Sequence, residues 1–133
     1  MNSVIVKANG KGNRTIVLKN SSNEILQSKT ILIENGTSRI DLGFNIDPGI
    51  NYHLGVVGPN VNLGRSNSNI KYPYTIDNVI SIKRSNADNQ GYDYYYFFYN
   101  WEIKLKDCLV NKNKIIVKSK EINTPIKINS INI

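Results

Sequence analysis

Cysteine is nearly absent. Cys108 is the single cysteine in 133 residues, which excludes an internal disulfide. Histidine is as scarce: with His53 as the one imidazole, no Cys/His metal cluster can be assembled. No apolar run approaches the roughly 20 residues that a membrane-spanning helix needs. The opening MNSVIVKANGKGNRT has no charged stretch followed by a long apolar one, so no secretory signal is expected and the chain reads as soluble. A sustained 3.6-residue apolar period with helix caps is also missing, so helix content should be small. There is no P-loop and no dinucleotide fingerprint.

Acidic residues are in the minority, 10 against 17 basic ones, for a net charge of +7 and a pI near 9.5. Such an excess suits an acidic partner. The basic residues are scattered, however, and abundant Asn, Ile and Lys is what an AT-rich gene writes. Only KNKIIVKSK, 112–120, is locally dense. A solvated surface is therefore the expected role of the charge. The aromatic run YYYFFYNW lacks the basic start and the glycines of an RNA-binding RNP1 element, and no DNA-reading helix is evident. Nucleic acid ranks last among the partners considered, and a membrane is not among them.

What the chain does have is short strand-like runs separated by turn residues. SVIVKA precedes the Asn9–Gly12 turn. RTIVLKN and NEILQ flank the polar NSSN as a hairpin, and KTILIE ends at Asn35-Gly36, a strong turn dipeptide. SRIDLGF, INYHLGVVG, NVISIKR, the aromatic run, KIIVKS and IKINSINI follow. Eight or more short strands in one domain-sized chain point to an all-β antiparallel sandwich, immunoglobulin-like or jelly-roll-like. Residues 1–120 would form it, with 121–133 as a final strand or a partner-contacting tail. In IDPGINY, Pro48-Gly49 predicts a type II turn with φ > 0 at Gly49. Tyr52 would lie across that turn as in the tyrosine corner of immunoglobulin-like sandwiches, which favours a sandwich over a barrel.

GYDYYYFFYNWEIKL, 91–105, crowds eight aromatic residues into one stretch. On an unbroken strand one face would carry Tyr95, Phe97, Tyr99, Trp101, Ile103 and Leu105, and the other Tyr94, Tyr96, Phe98, Asn100, Glu102 and Lys104. The first set stays apolar to its end and is expected inside, with the Tyr95 and Tyr99 hydroxyls reaching a backbone partner or the rim. Tyr94, Tyr96 and Phe98 are then left on the outer face. Either other parts of the chain cover them, or they form a contact surface. Tyr72-Pro73-Tyr74 reads as a proline-fixed loop with aromatic packing on both sides.

LGRSNSNIKYPYTIDNVISIKRSN followed by YYYFFYNWEI and Cys108 resembles a β-sandwich module of secreted and cell-surface proteins of Bacteroidetes. That module reads arginine, YPY, an apolar strand, then YYYFYDWEV and a nearby cysteine. Arg65, Tyr72, Pro73, Tyr74, Tyr94 to Phe97, Tyr99, Trp101 and Glu102 fit the pattern, which covers about the first three quarters of the chain. The serine and arginine that follow the cysteine in those proteins are replaced here by LVNKNKIIVKSK. A stand-alone module without an export signal is similar to a version carried by a phage of these bacteria, such as a crAss-like phage. The resemblance implies a virion setting, as a capsid decoration, fibre or tail adaptor.

Catalytic chemistry finds little support. His53 has no carboxylate partner in sequence, Cys108 follows Lys104, Lys106 and an opposing Asp107 and reads as inert, and Asp41, Asp47, Asp77, Asp88 and Asp93 are isolated. SNADNQGYD, 85–93, has oxygen ligands but not EF-hand spacing, so a turn is expected rather than a Ca²⁺ loop. No cofactor and no metal are expected, and no enzymatic activity. The expected function is that of a non-enzymatic virion protein, an auxiliary or decoration-type capsid component contacting coat subunits. Its contact surface would be Tyr94, Tyr96, Phe98, Tyr72 and Tyr74. EINTPIKINSINI, with Pro125, Ile126, Ile128 and Ile131, would be an assembly tail adding a strand to a neighbour's sheet. The alternative is a carbohydrate-binding or adhesion module at the bacterial surface, stacking sugars on the same tyrosines.

Overall fold

Alternation of apolar and polar side chains decides where the first strands lie. In β1 (Ser3–Ala8), Val4, Val6 and Ala8 are buried while Lys7 is exposed. In β2 (Gly12–Lys19), Arg14, Ile16 and Leu18 share the inner face. The chain continues through β3 (Ile25–Ile33), β4 (Gly36–Asp41), β5 (His53–Val57), β6 (Arg65–Ser66), β7 (Tyr74–Ile76), β8 (Ile80–Ile82), β9 (Tyr95–Tyr96) and β10 (Tyr99–Ile103). This computed structural model describes residues 1–59 and 61–106, and the backbone of 109–110, 113–114, 120–121 and 131–132.

The protein is an all-β sandwich of small antiparallel sheets, as the turn spacing predicts. One sheet runs Lys120–Glu121, β10, β1, β4; a second runs β3, β2, β5; a third runs Ile131–Asn132, β8, β7; β6 pairs with β9. Their inner faces meet in a single core that includes Val4, Val6, Ile16, Leu18, Ile33, Ile40, Leu54, Ile82 and Trp101. The hairpin across NSSN forms between β2 and β3, closed by Asn20, whose side chain accepts from the backbone of Ser22 and Glu24. NEILQ and KTILIE are not two strands but one, because β2 is long enough to pair with both.

Three expectations are corrected. Gly49 does not take the left-handed conformation; Asn51 does, at φ 61°. The Tyr52 ring nevertheless lies over Gly49, so close that a Cβ there would sit 2.9 Å from the tyrosine oxygen. Among the described residues that hydroxyl makes no hydrogen bond. Second, the proposed boundary at 120/121 falls inside a strand segment, since Lys120 and Glu121 pair with Ile103 and Glu102. Ile131, placed in an assembly tail, pairs with Ile82 of its own chain. Pro125, Ile126 and Ile128 lie outside the described residues, as does Cys108.

The third correction concerns the aromatic run, which is not one strand. The Phe98 N–H bonds the Tyr96 carbonyl at 3.0 Å, with Phe97 between them at φ 72°. This is a γ-turn, a tight reversal that resets the alternation of side chains. Phe98 is thereby carried inward and fully buried, together with Tyr95 and Trp101. A second reset follows at Asn100, φ 45°, where a bulge lets Tyr99 face Ile5 and Glu102 face Ser3. Tyr99 thus lies on the side of β1 that carries Lys7, whose ammonium is 5.2 Å from its ring.

The Phe98 carbonyl accepts two buried bonds, from the Tyr95 hydroxyl at 2.7 Å and the Trp101 indole N–H at 3.1 Å. Trp101→Ala should therefore lower the unfolding free energy by about 3–5 kcal/mol through the cavity it leaves. Tyr95→Phe removes only one bond and should cost about 1 kcal/mol. Urea denaturation of the two variants checks the difference.

Candidate binding surface

β9 pairs with β6, setting Arg65 opposite Tyr96 and Ser66 opposite Tyr95. That ribbon sorts the tyrosines into two groups. Tyr95 points inward and is sandwiched by the YPY element: Tyr72 stacks parallel to it at 6.0 Å, and Tyr74 meets it edge-on at 5.7 Å. Tyr72 and Tyr74 contact each other edge-on at 5.3 Å, which is the proline-fixed aromatic packing expected of that loop. The peptide between Tyr72 and Pro73 is cis. Burial pushes the hydroxyls of Tyr72 and Tyr95 well up from their ordinary value, with neighbouring tyrosines adding to the effect, and raises that of Tyr99. They remain protonated and act as donors, Tyr72 to the Tyr94 carbonyl at 3.0 Å and Tyr95 to Phe98.

The second group forms a half-buried row. The Arg65 guanidinium lies 4.9 Å over the Tyr94 ring, a cation–π contact. Tyr94 and Tyr96 are 6.1 Å apart, and Tyr96 stacks on Phe97 at 5.1 Å and 17°. Of the five residues expected at a contact surface, Tyr94 and Tyr96 belong to this row. Tyr72 and Tyr74 back it from the Tyr95 side, and Phe98 is in the core. Phe97, assigned to the inside from alternation, takes the place Phe98 vacates.

Beyond Phe97 the row ends at a cleft of about 140 Å³ on the outer face of the β3–β2–β5 sheet, lined by Val17, Gly55, His53, Asn86, Tyr96 and Phe97 among others. Gly55 stands opposite Val17, and a Cβ added to it would meet only Val17, at 4.0 Å. The missing side chain is what keeps the cleft floor open. His53, at the cleft, is held below its usual pKa by burial first and then by the Lys19 and Arg84 charges. It is neutral at neutral pH, with ring nitrogens suited to hydrogen bonding. Among the described residues no group of His, Cys, Asp and Glu could hold a metal ion. The 85–93 segment is turn structure, with a 3₁₀ turn at Asp88–Gln90 and bonds from Gln90 to Ala87 and from Asp93 to Gln90.

Two arginines were not singled out from sequence. Arg14 is buried and donates to the carbonyls of Gly10, Gly12, Ile33 and Val61, tying together the β1–β2 turn, the end of β3 and the segment after β5. Its phase with Ile16 and Leu18 is the signal that could have found it. Arg39 bonds both the backbone and side-chain oxygens of the Asn100 bulge, at 3.2 and 2.8 Å, and the Ser3 hydroxyl at 2.8 Å. It lies 3.9 Å from the Glu102 carboxylate.

No protein-family model matches the chain, and no curated protein or solved structure matches it.

The neutral state of His53 has a pH consequence. Its folded pKa lies below the ordinary 6.5, so the unfolded chain binds the extra proton first. The associated stability is complete above about pH 6.5 and is lost as pH falls through and below it. The urea midpoint of the wild type should fall between about pH 7.5 and about pH 5 by more than that of His53→Gln. Equal falls would mean that the charge on His53 is indifferent to folding.

Proposed function

We propose that the chain is a non-enzymatic structural module of a phage particle, an auxiliary or decoration-type capsid protein that engages neighbouring coat subunits through the Arg65–Tyr94–Tyr96–Phe97 row. The observation that carries this reading is the row itself. Its rings are preorganised, because the γ-turn fixes Phe97 and the Tyr72 hydroxyl holds the Tyr94 backbone. Rigid tyrosines beside an arginine are the side chains that contribute most at protein interfaces, since little conformational freedom is lost on contact. The virion setting is supported by the resemblance of the YPY and YYYFFYNWEI elements to Bacteroidetes surface modules. In a lysate fractionated on a density gradient, the chain should travel with DNA-filled particles in a fixed ratio to the major coat protein. Tyr94→Ala/Tyr96→Ala should fold yet reduce its occupancy on particles at least about tenfold, a loss of some 1.4 kcal/mol of contact. Recovery of the wild type with cell envelopes or in the medium would defeat the reading.

The cleft favours a second reading, a carbohydrate-binding module. A glycine-opened floor beside stacked aromatic rings, with His53 and Asn86 at hand, offers an apolar face and hydrogen-bonding groups to a sugar ring. On a glycan array the wild type should then bind, and Gly55→Val should abolish binding without unfolding the strand. Absence of any hit from the folded wild type would retire this alternative.

A further inference from the structure

β3 is an edge strand of unusual symmetry. Its sequence, ILQSKTILI, reads almost the same in both directions about Lys29. Ile25 mirrors Ile33, Leu26 mirrors Leu32 and Ser28 mirrors Thr30; only Gln27 and Ile31 differ in kind. Among the described residues β2 is its one sheet neighbour, so one side of its backbone offers donors and acceptors outward. Ile25, Leu26 and Leu32 are 54%, 47% and 55% exposed. Edges are ordinarily guarded by proline, bulges or charge. β3 has no proline, its bulge is confined to its first two residues, and its one charged side chain is turned back on its own chain, with the Lys29 ammonium donating to the Asp41 carbonyl at 2.7 Å. The Gln27 amide is tied likewise, donating to the Asn45 carbonyl and accepting from the Asn45 N–H at 3.1 Å.

We propose that β3 pairs antiparallel with β3 of a second copy of this chain, about a two-fold axis through Lys29. Two three-stranded sheets thereby become one of six strands. The occupant follows from the pattern: the strand that best complements a mirror-symmetric edge is the same strand reversed. With the axis at Lys29, Leu26 faces Leu32 of the copy and Ser28 faces Thr30. Moving the axis by one residue, the smallest shift that keeps matching faces together, sets Leu26 against Thr30 or Glu34 instead. The bulge at Leu26, between the Leu18–Gln27 and Lys19–Ile25 pairs, leaves both Ile25 and Leu26 toward solvent. Each end of the paired strands therefore brings two apolar side chains to the copy's Leu32. The two Lys29 residues meet at the axis, and like charges opposite one another weaken a strand pair. The association is accordingly reversible, and salt strengthens it. It rests on β3 alone and is independent of the aromatic row and of the function proposed for it.

Sedimentation equilibrium of the full chain from about 1 μM to about 1 mM tests this. A monomer–dimer equilibrium is expected. Leu26→Glu and Leu32→Lys, at exposed positions, should each keep the circular dichroism spectrum and urea midpoint while raising the dimer Kd at least about tenfold. The combination Leu26→Glu/Leu32→Lys should return it to within about threefold of wild type, because each new carboxylate faces the other copy's new ammonium. Lys29→Thr should tighten the dimer. A chain that stays monomeric throughout, a dimer untouched by both single substitutions, or a double variant no better than the singles would each overturn the proposal.

Discussion

The Phe98 carbonyl is the point on which the aromatic half of the molecule turns. It lies in the core and accepts from Tyr95 and Trp101, three residues away on either side. A bulky residue at positive φ, as Phe97 is, costs on the order of 1–3 kcal/mol and persists only where its surroundings over-determine it. Two bonds from a buried hydroxyl and a buried indole, donors with no water to turn to, supply that determination. The kink they hold lets one run of sequence serve two sheets: β9 pairs with β6 and β10 pairs with β1. Tyr95, Phe98 and Trp101 can then all be buried, and Tyr94, Tyr96 and Phe97 can all remain at the surface.

The bulge at Asn100 extends the same logic to the polar side. It shifts Glu102 into register with Ser3, where the carboxylate accepts from the Asn2 amide at 2.6 Å and the Ser3 hydroxyl at 3.0 Å. Arg39 spans Ser3, Asn100 and Glu102, so β4, β1 and β10 are joined by a network outside the core. Ser3 is fully buried beneath it, and its hydroxyl both donates and accepts. A lone partly exposed ion pair contributes little. This one matters because its hydrogen bonds fix a bulge that backbone pairing alone would let slip.

Much of the fold is legible in the residues. The strands of the first half, the hairpin at NSSN, the burial of Trp101 and Tyr95, and the packing of Tyr72 and Tyr74 about their proline all follow from alternation and turn chemistry. Phe98 does not, because alternation presumes an unbroken strand. Nothing local marks a phenylalanine as the centre of a γ-turn. Asn100 gives a fainter sign, since asparagine tolerates positive φ better than most residues. The cleft is not legible for a different reason. Its floor pairs Gly55 with Val17 across two strands, and that register is set by the sheet and not by either segment alone.

The same sheet now connects the two surfaces. Its order is β3, β2, β5, with the self-complementary edge on one side and, on the other, the strand that supplies His53 and Gly55 to the cleft. Joining two copies through β3 would put the two β5 strands at the outer edges of a six-stranded sheet. Five inter-strand spacings then separate them, roughly 24 Å. Both clefts open on the same face of that sheet, because a two-fold axis perpendicular to a sheet preserves its faces. A weak contact made at each cleft, or at the aromatic row beside it, would be made twice by one rigid object. Two such contacts at fixed separation multiply rather than add, provided the opposing surface repeats at a matching distance. A regular lattice of subunits or a repeating polymer offers such a surface, so the strength of the whole would be governed by how tightly β3 holds its copy.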